Sequence, residues 1–335
     1  MTAHVLWSLL CGFSVGLGLD DSPPDPTQIR HAIERAIPLL LASAAEYPQH
    51  RDCFSCHHQA VPMVALTLAR GRGFPVPDDA LSAIVTHTEN DLVQAAPSYR
   101  EGRGQGGGST RAGYALWTLQ AGGFEPDETT RAVVQFLLRR DAEGGPWKTS
   151  SNRPPSEASS FTSTYVALRG LASYATEEDE PRVARRRQRA RTWLLETAAR
   201  DTEDRVFRLL ALQAAGAEPV DLAKAVDELL AQQRADGGWS QRHGIDQSGD
   251  AYATGSALYA LHQAGGLSTE HPAYAKGLAH LIRTQEADGS WHVVSRSKPF
   301  QTYFESGFPH GRDQFISIAA SAWATAALTL AVAQP

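Results

Sequence analysis

Residues 53–59 read CFSCHHQ, and they concentrate more metal and sulfur chemistry than any other stretch of the chain. Cys53 and Cys56 stand three apart, and His57 follows at once. C-x-x-C-H is the pattern at which two thiols add across the haem vinyl groups and the adjacent histidine becomes an axial ligand. The stretch therefore predicts haem c, with His57 as ligand and a redox partner for the protein. The same side chains suit other chemistry. Cys53, Cys56 and His57 or His58 supply three zinc ligands at suitable spacing, and His310 or Asp313 would close the site. In an exported chain the two cysteines would equally form a local disulfide. Haem, zinc, disulfide and free thiols all stay open. A distal haem ligand is available from His58, His87, His243, His292 or His310, whereas Met63 falls within the helix that the motif begins.

Other reactive groups sit where apolar runs begin: Ser109, Thr110 and Arg111, Ser160 and Thr162, Asp250 with Tyr252 and Thr254, and Asp313 with Gln314 and Ser317. Most of the Ser, Thr and Asp residues there are expected to cap helices. Asp250 and Asp313 are the candidates for acid–base catalysis, with Arg111, Tyr252, Thr254 and Gln314 on the surrounding rim. The stretch FQTYFESGFPHGRDQFIS at 300–317 is dense in aromatic and charged residues, which predicts a lid or pocket wall.

The elements that must position these groups repeat along the chain. Short punctuation recurs at ARGRGFPVPDD, QAGGFEPDE, QAAGAEPVD and HQAGGLSTEHP. Glycine ends a helix and a following proline prevents its continuation. Helices of two textures alternate. AVPMVALTLA, AGYALWTLQA, TGSALYALHQA and SIAASAWATAALTLA are apolar nearly all round and must be buried on all sides. Runs such as DETTRAVVQFLLRR carry charge on one face and lie outside. Six inner and six outer helices in alternation predict an all-α (α/α)6 toroid, from an outer helix at 27–44 to an inner one at 313–332. Short turns lead outward. Long loops at 45–56, 96–109, 140–157, 235–248 and 286–312 lead inward, so one rim should carry the site.

A chain of 335 residues with a formal net charge of −6 argues against a nucleic-acid partner. The basic run at 185–191 reads as the solvated face of a helix. Residues 5–19 are almost wholly apolar, too short for a comfortable membrane span, and give way to DDSPPDP. They resemble a secretory signal peptide, although the only basic residue before them is His4. Residues 1–24 are thus expected to be leader and linker. Residues 25–335 are expected to form one domain, periplasmic or extracytoplasmic, with no transmembrane span in the mature chain.

QQRADGGW at 232–239 and KGLAHLIRTQEADGSW at 276–291 resemble the QW repeats of squalene–hopene cyclases and other class II terpenoid cyclases. RRDAEGGPW at 139–147 looks like a degraded copy with Arg140 in place of glutamine. The resemblance covers roughly 27–333. It implies a toroid whose outer helices are clasped by glutamine bonded to the backbone of the next outer helix and by tryptophan stacked on it. It also implies a central cavity for an apolar or isoprenoid molecule. Such cyclases protonate an alkene with the middle carboxyl of D-x-D-D-T-A. Asp201, Glu203 and Asp204 stand at the like-placed positions, making Glu203 the third catalytic candidate. Arg205 and Val206 replace Thr-Ala, and Arg205 would favour ionised carboxylates, so helix capping is the competing role. Protein prenyltransferases are similar toroids, but Tyr252 stands where their zinc-binding cysteine would follow Asp250. Two functions follow: a cyclase-like or redox enzyme with a haem or metal centre, or a binding module that presents its long-loop rim and carries a Cys53–Cys56 disulfide.

Overall fold

A computed structural model describes residues 24–141, 143–242, 248–299 and 302–334. The expected leader, apart from Pro24, and His243 lie outside the described residues. Among those described, twelve α-helices alternate between two layers. The outer helices are α1 (Pro26–Glu46), α3 (Asp78–Arg100), α5 (Glu128–Arg139), α7 (Glu180–Glu196), α9 (Pro219–Leu230) and α11 (Pro272–Thr284). The inner ones are α2 (Val61–Gly71), α4 (Gly108–Ala121), α6 (Ser160–Tyr174), α8 (Thr202–Ala214), α10 (Ala251–Gln263) and α12 (Gln314–Leu330). Each inner helix packs on the next, and α12 returns to α2, so the expected ring closes.

Composition explains the layering. The inner helices carry Ala, Gly, Ser and Thr where neighbours approach closely. A Cβ on Gly255 would lie 2.5 Å from the Trp323 backbone, and one on Gly113 the same distance from Val166. Outer helices bury one stripe only; α9 buries just Ala225 and Leu229. One loop differs from expectation. α3 runs on to Arg100 with Pro97 in its last turn, because Tyr99 is buried against Phe136, ring centroids 5.2 Å apart. The connection from α7 to α8 is short, residues 197–201.

The clasps work as the glutamines suggest. Gln233 Nε2 donates to Ala273 O in α11 (2.7 Å) and to Gly237 O (2.8 Å). Gln285 Nε2 donates to Ala32 O in α1 (2.8 Å) and to Gly289 O (2.9 Å), which joins the last outer helix to the first. The tryptophans differ from expectation: each indole N–H caps its own preceding outer helix. Trp147, Trp239 and Trp291 donate to Leu137, Leu229 and Leu281 O, each at 2.8 Å. Their backbone N–H groups donate to hydroxyls of the next inner helix, Thr164, Thr254 and Ser321. Thr254 is therefore a clasp tie. In the degraded copy, Arg186 of α7 takes the glutamine's part. It donates to Arg140, Asp141 and Gly144 carbonyls and lies 3.8 Å over the Trp147 ring.

The middle of the ring is filled. Trp117 meets Tyr165 (5.4 Å between centroids), Tyr259 (6.5 Å) and Trp323 (6.2 Å), and Phe207 meets Tyr165 and Trp323. Aromatic rings from five inner helices thus touch across the axis. The cavity expected at the centre is displaced towards the rim where the inner helices begin.

Candidate functional site

The first turns of the inner helices frame a cavity of about 370 Å³. Val61, Tyr114, Tyr252, Phe315, Ile316 and Ala319 give it apolar and aromatic walls. Loop residues close its mouth. Among its lining residues the cations Arg153, Lys298 and Arg312 face one carboxylate, Glu157, which is paired with Arg153.

Beside it, α8 begins with the three acidic residues read from the sequence. Asp201 caps the helix, its carboxylate accepting from Asp204 N at 3.0 Å. Asp204 accepts from Arg200 Nε (3.0 Å) and Ser159 Oγ (2.7 Å). Glu203 turns inward. It is buried and accepts from Thr162 Oγ1 at 2.7 Å; its Oε2 has no partner within hydrogen-bond distance among the described residues, and Tyr252 lies close enough to favour its ionised form. Burial first, and then the charges of Asp201 and Asp204, push its carboxyl up to about 8, against the Thr162 hydrogen bond. The cap of α8 is thus Asp201, and burial favours the protonated form of Glu203. Arg205 does not oppose this. It reaches outward to Glu228 of α9 (3.3 Å) and to Asp201 O (2.9 Å). Burial first, and then Glu203 nearby, oppose the ionisation of Tyr114 and Tyr252, both on the cavity wall, and the Tyr114 hydroxyl is buried without a partner among the described residues.

CFSCHHQ enters α2 through a wide π-type turn, Cys56–Ala60. Ser55 Oγ accepts from His58 N, and Gln59 Oε1 accepts from Ser55 N at 2.9 Å, which fixes the turn. Cys53 and Cys56 are both free, so the disulfide is not formed. Their sulfurs face different ways. Cys53 Sγ lies 3.5 Å from Tyr47 Oη, and Cys56 Sγ lines the cavity 3.6 Å from Glu157 Oε1. Burial and the Glu157 charge push the Cys56 thiol up, so it is no ready nucleophile. His57 also lines the cavity; its Nδ1 lies 2.7 Å from both Ser55 Oγ and His58 Nδ1. Burial and then Arg153 push His57 down to about 3, and burial lowers His58 as well. Cys56 and His57 thus face the cavity while Cys53 does not. His310 joins another group, bonded to Ser290 Oγ at 2.7 Å and stacked on His292.

The remaining candidates hold the scaffold. Asp250 caps α10 and accepts from Ala253 N (3.0 Å) and Gln241 N (2.9 Å), beside a second cavity of about 550 Å³. Asp313 accepts from Ser295 N at 2.8 Å and bonds His292. Gln314 fixes the preceding loop through Ser306 N (2.6 Å) and Phe304 O (2.9 Å). Arg111 is tied to Asp91 at 2.6 Å. Sequence reasoning missed Tyr114, Arg153 and Glu157. Only Tyr114 left a signal, as a phenol within an inner helix that is apolar nearly all round.

Residues 170–334 match the family model of the squalene-hopene cyclase C-terminal domain. Over 194 residues the chain is 32% identical to drimenyl diphosphate synthase of Streptantibioticus cattleyicolor, covering 54% of this chain and 34% of that protein. The match thus spans about a third of that relative's length. The structure superposes on the type II terpene cyclase MstE of Scytonema, in complex with geranylgeranyl dihydroxybenzoate as substrate, with a TM-score of 0.55. Identity there is 16%, over 91% of this chain and 97% of that one. The fold is terpenoid cyclase-like. A structure from Klebsiella pneumoniae, described as a possible member of the GH105 family, superposes with a TM-score of 0.52 at 11% identity, over 99% of each chain. The toroid alone therefore does not select the chemistry.

Proposed function

We propose that the protein is a cyclase-like enzyme that binds a short isoprenoid with an anionic head in the rim cavity and protonates it with Glu203. The observation that carries this reading is the buried Glu203 carboxyl next to the two wall tyrosines, one of its oxygens unpartnered among the described residues and its proton favoured by burial. Its proton would pass to an alkene carbon, whose π electrons form the new C–H bond and leave a cation on the adjacent carbon. The next alkene captures that cation. Tyr114, Tyr252 and Phe315 supply ring faces for cation–π stabilisation. Size narrows the substrate. At about 30 Å³ per heavy atom, the share of a water in the liquid, the cavity takes on the order of a dozen heavy atoms and not a chain of about thirty carbons. Arg153, Lys298 and Arg312 at the mouth suit a phosphate or carboxylate head.

The test is conversion by the full chain of geranyl diphosphate, whose ten-carbon tail is within that size, with products read by mass spectrometry after dephosphorylation. Glu203→Gln is expected to lower turnover at least about 100-fold, with binding of the substrate kept. Wild-type turnover retained in that variant would overturn the assignment. A second reading keeps haem c or zinc at Cys53, Cys56 and His57, in an exported protein with a redox partner. In its favour, Cys56 and His57 both stand on the cavity wall. A pyridine haemochrome spectrum and metal analysis of the exported chain decide it, with Cys53→Ser/Cys56→Ser as control.

A further inference from the structure

Away from the cavity, the turn after α11 and the turn before α12 bring three metal-ligating side chains together. One ligand atom each from Glu286, His292 and His310 lies within 4.8 Å of the others. The two imidazoles are stacked, with centroids 4.6 Å apart and planes 16° apart. Each ring is anchored through Nε2, and the anchors fix the tautomers. His292 Nε2 faces Asp313 Oδ2 at 2.8 Å, an acceptor only, so it carries the proton. His310 Nε2 faces Ser290 Oγ at 2.7 Å, and that hydroxyl already donates to Asp288 Oδ1 at 2.7 Å. It can only accept from His310. Both Nδ1 atoms are thereby left as lone-pair donors, and neither has another hydrogen-bond partner among the described residues.

We propose that Glu286, His292 and His310 bind a divalent transition-metal ion, with zinc the best match. Two imidazoles and one carboxylate are a zinc donor set, and three protein ligands leave a coordination position for water. Asp313 and the Ser290–Asp288 pair stand where outer partners orient ligating histidines and raise their basicity. Glu286 and His292 are exposed, so the ion enters from solvent. The set shares only His310 with the zinc ligands read from the sequence. Bound metal would fasten the last tryptophan clasp to the turn that starts α12.

The test is calorimetric titration of the chelator-treated full chain with zinc chloride, and with cobalt chloride read by absorbance. About one equivalent is expected to bind, with no thiolate charge-transfer band in the cobalt spectrum. His292→Ala/His310→Ala should abolish binding, and Asp313→Asn should weaken it about 10–100-fold. Cys53→Ser/Cys56→Ser should leave it unchanged. Should the double histidine variant melt early without metal, the exposed Glu286→Gln, also expected to weaken binding, replaces it. Failure of the wild type to bind zinc would overturn the proposal. So would binding that survives these ligand changes or is lost with the cysteines.

Discussion

Three carboxylates within four residues end in three different environments, and burial favours the protonated form of Glu203. Asp201 faces helix amides, Asp204 faces Arg200, and Glu203 faces a hydroxyl and the buried wall. The consequence for stability has a definite sign. In the unfolded chain Glu203 ionises near its ordinary value of 4.5, while in the fold it keeps its proton to about 8. Stability from this group is full below the lower value and falls as pH rises through that window, by about 1.4 kcal/mol per pH unit at most. Glu203→Gln removes the ionisation in both states. Its unfolding midpoint in urea should therefore gain on the wild type as pH goes from about 5 to about 8. A constant difference between the two would mean that the carboxyl is ionised in the fold, and the proton-donor assignment would fail with it. His57 and His58 do not disturb this comparison. Their lowered values make the fold lose stability as pH falls through the histidine range, equally in both proteins.

At the scale of elements, the alternation of apolar and one-faced helices was legible because it follows directly from burial. The clasps were legible because each needs one residue type per position. A Cβ on Gly237 would lie 2.5 Å from Lys276 O, and one on Gly289 the same distance from Arg35 O; both glycines have positive φ, 84° and 94°. The direction of long side chains was not legible. Arg205 was expected beside Glu203 and instead finds Glu228 on α9, a partner set by packing. Likewise the basic run on α7 reads as a solvated face, yet Arg186 is only 4% exposed. It closes the clasp that lacks its glutamine, from the opposite helix. Arg186→Ala is expected to cost about 2–4 kcal/mol, since three carbonyl partners and the Trp147 stack go together. Arg187→Ala, whose side chain is far more exposed and pairs with Glu180 at 3.7 Å, should stay within about 0.5 kcal/mol. Urea unfolding of the two variants checks the contrast; equal effects would return Arg186 to the surface.

For the whole molecule, the question is what holds a ring shut whose ends are far apart in sequence. Chemically the two intact clasps are alike, since Gln233 and Gln285 each bridge to the next outer helix and to a glycine carbonyl. Topologically they are not. Gln233 joins neighbours in the chain, α9 and α11, while Gln285 joins α11 to α1 and also accepts from Arg35 of α1. α1 is held besides by α12, α2 and α3, so loss of the glutamine loosens the closure without opening the inner ring. Each variant leaves two carbonyls without their donor, worth about 1–3 kcal/mol. The distribution of that loss is the test. Gln285→Ala should speed amide exchange across α1 by about tenfold or more, with α9 unchanged. Gln233→Ala should do the reverse, loosening α9 and α11 and sparing α1. If both variants lowered protection evenly around the ring, the toroid would open as one cooperative body, and the clasp between the last and first outer helices would have no special part in keeping it closed.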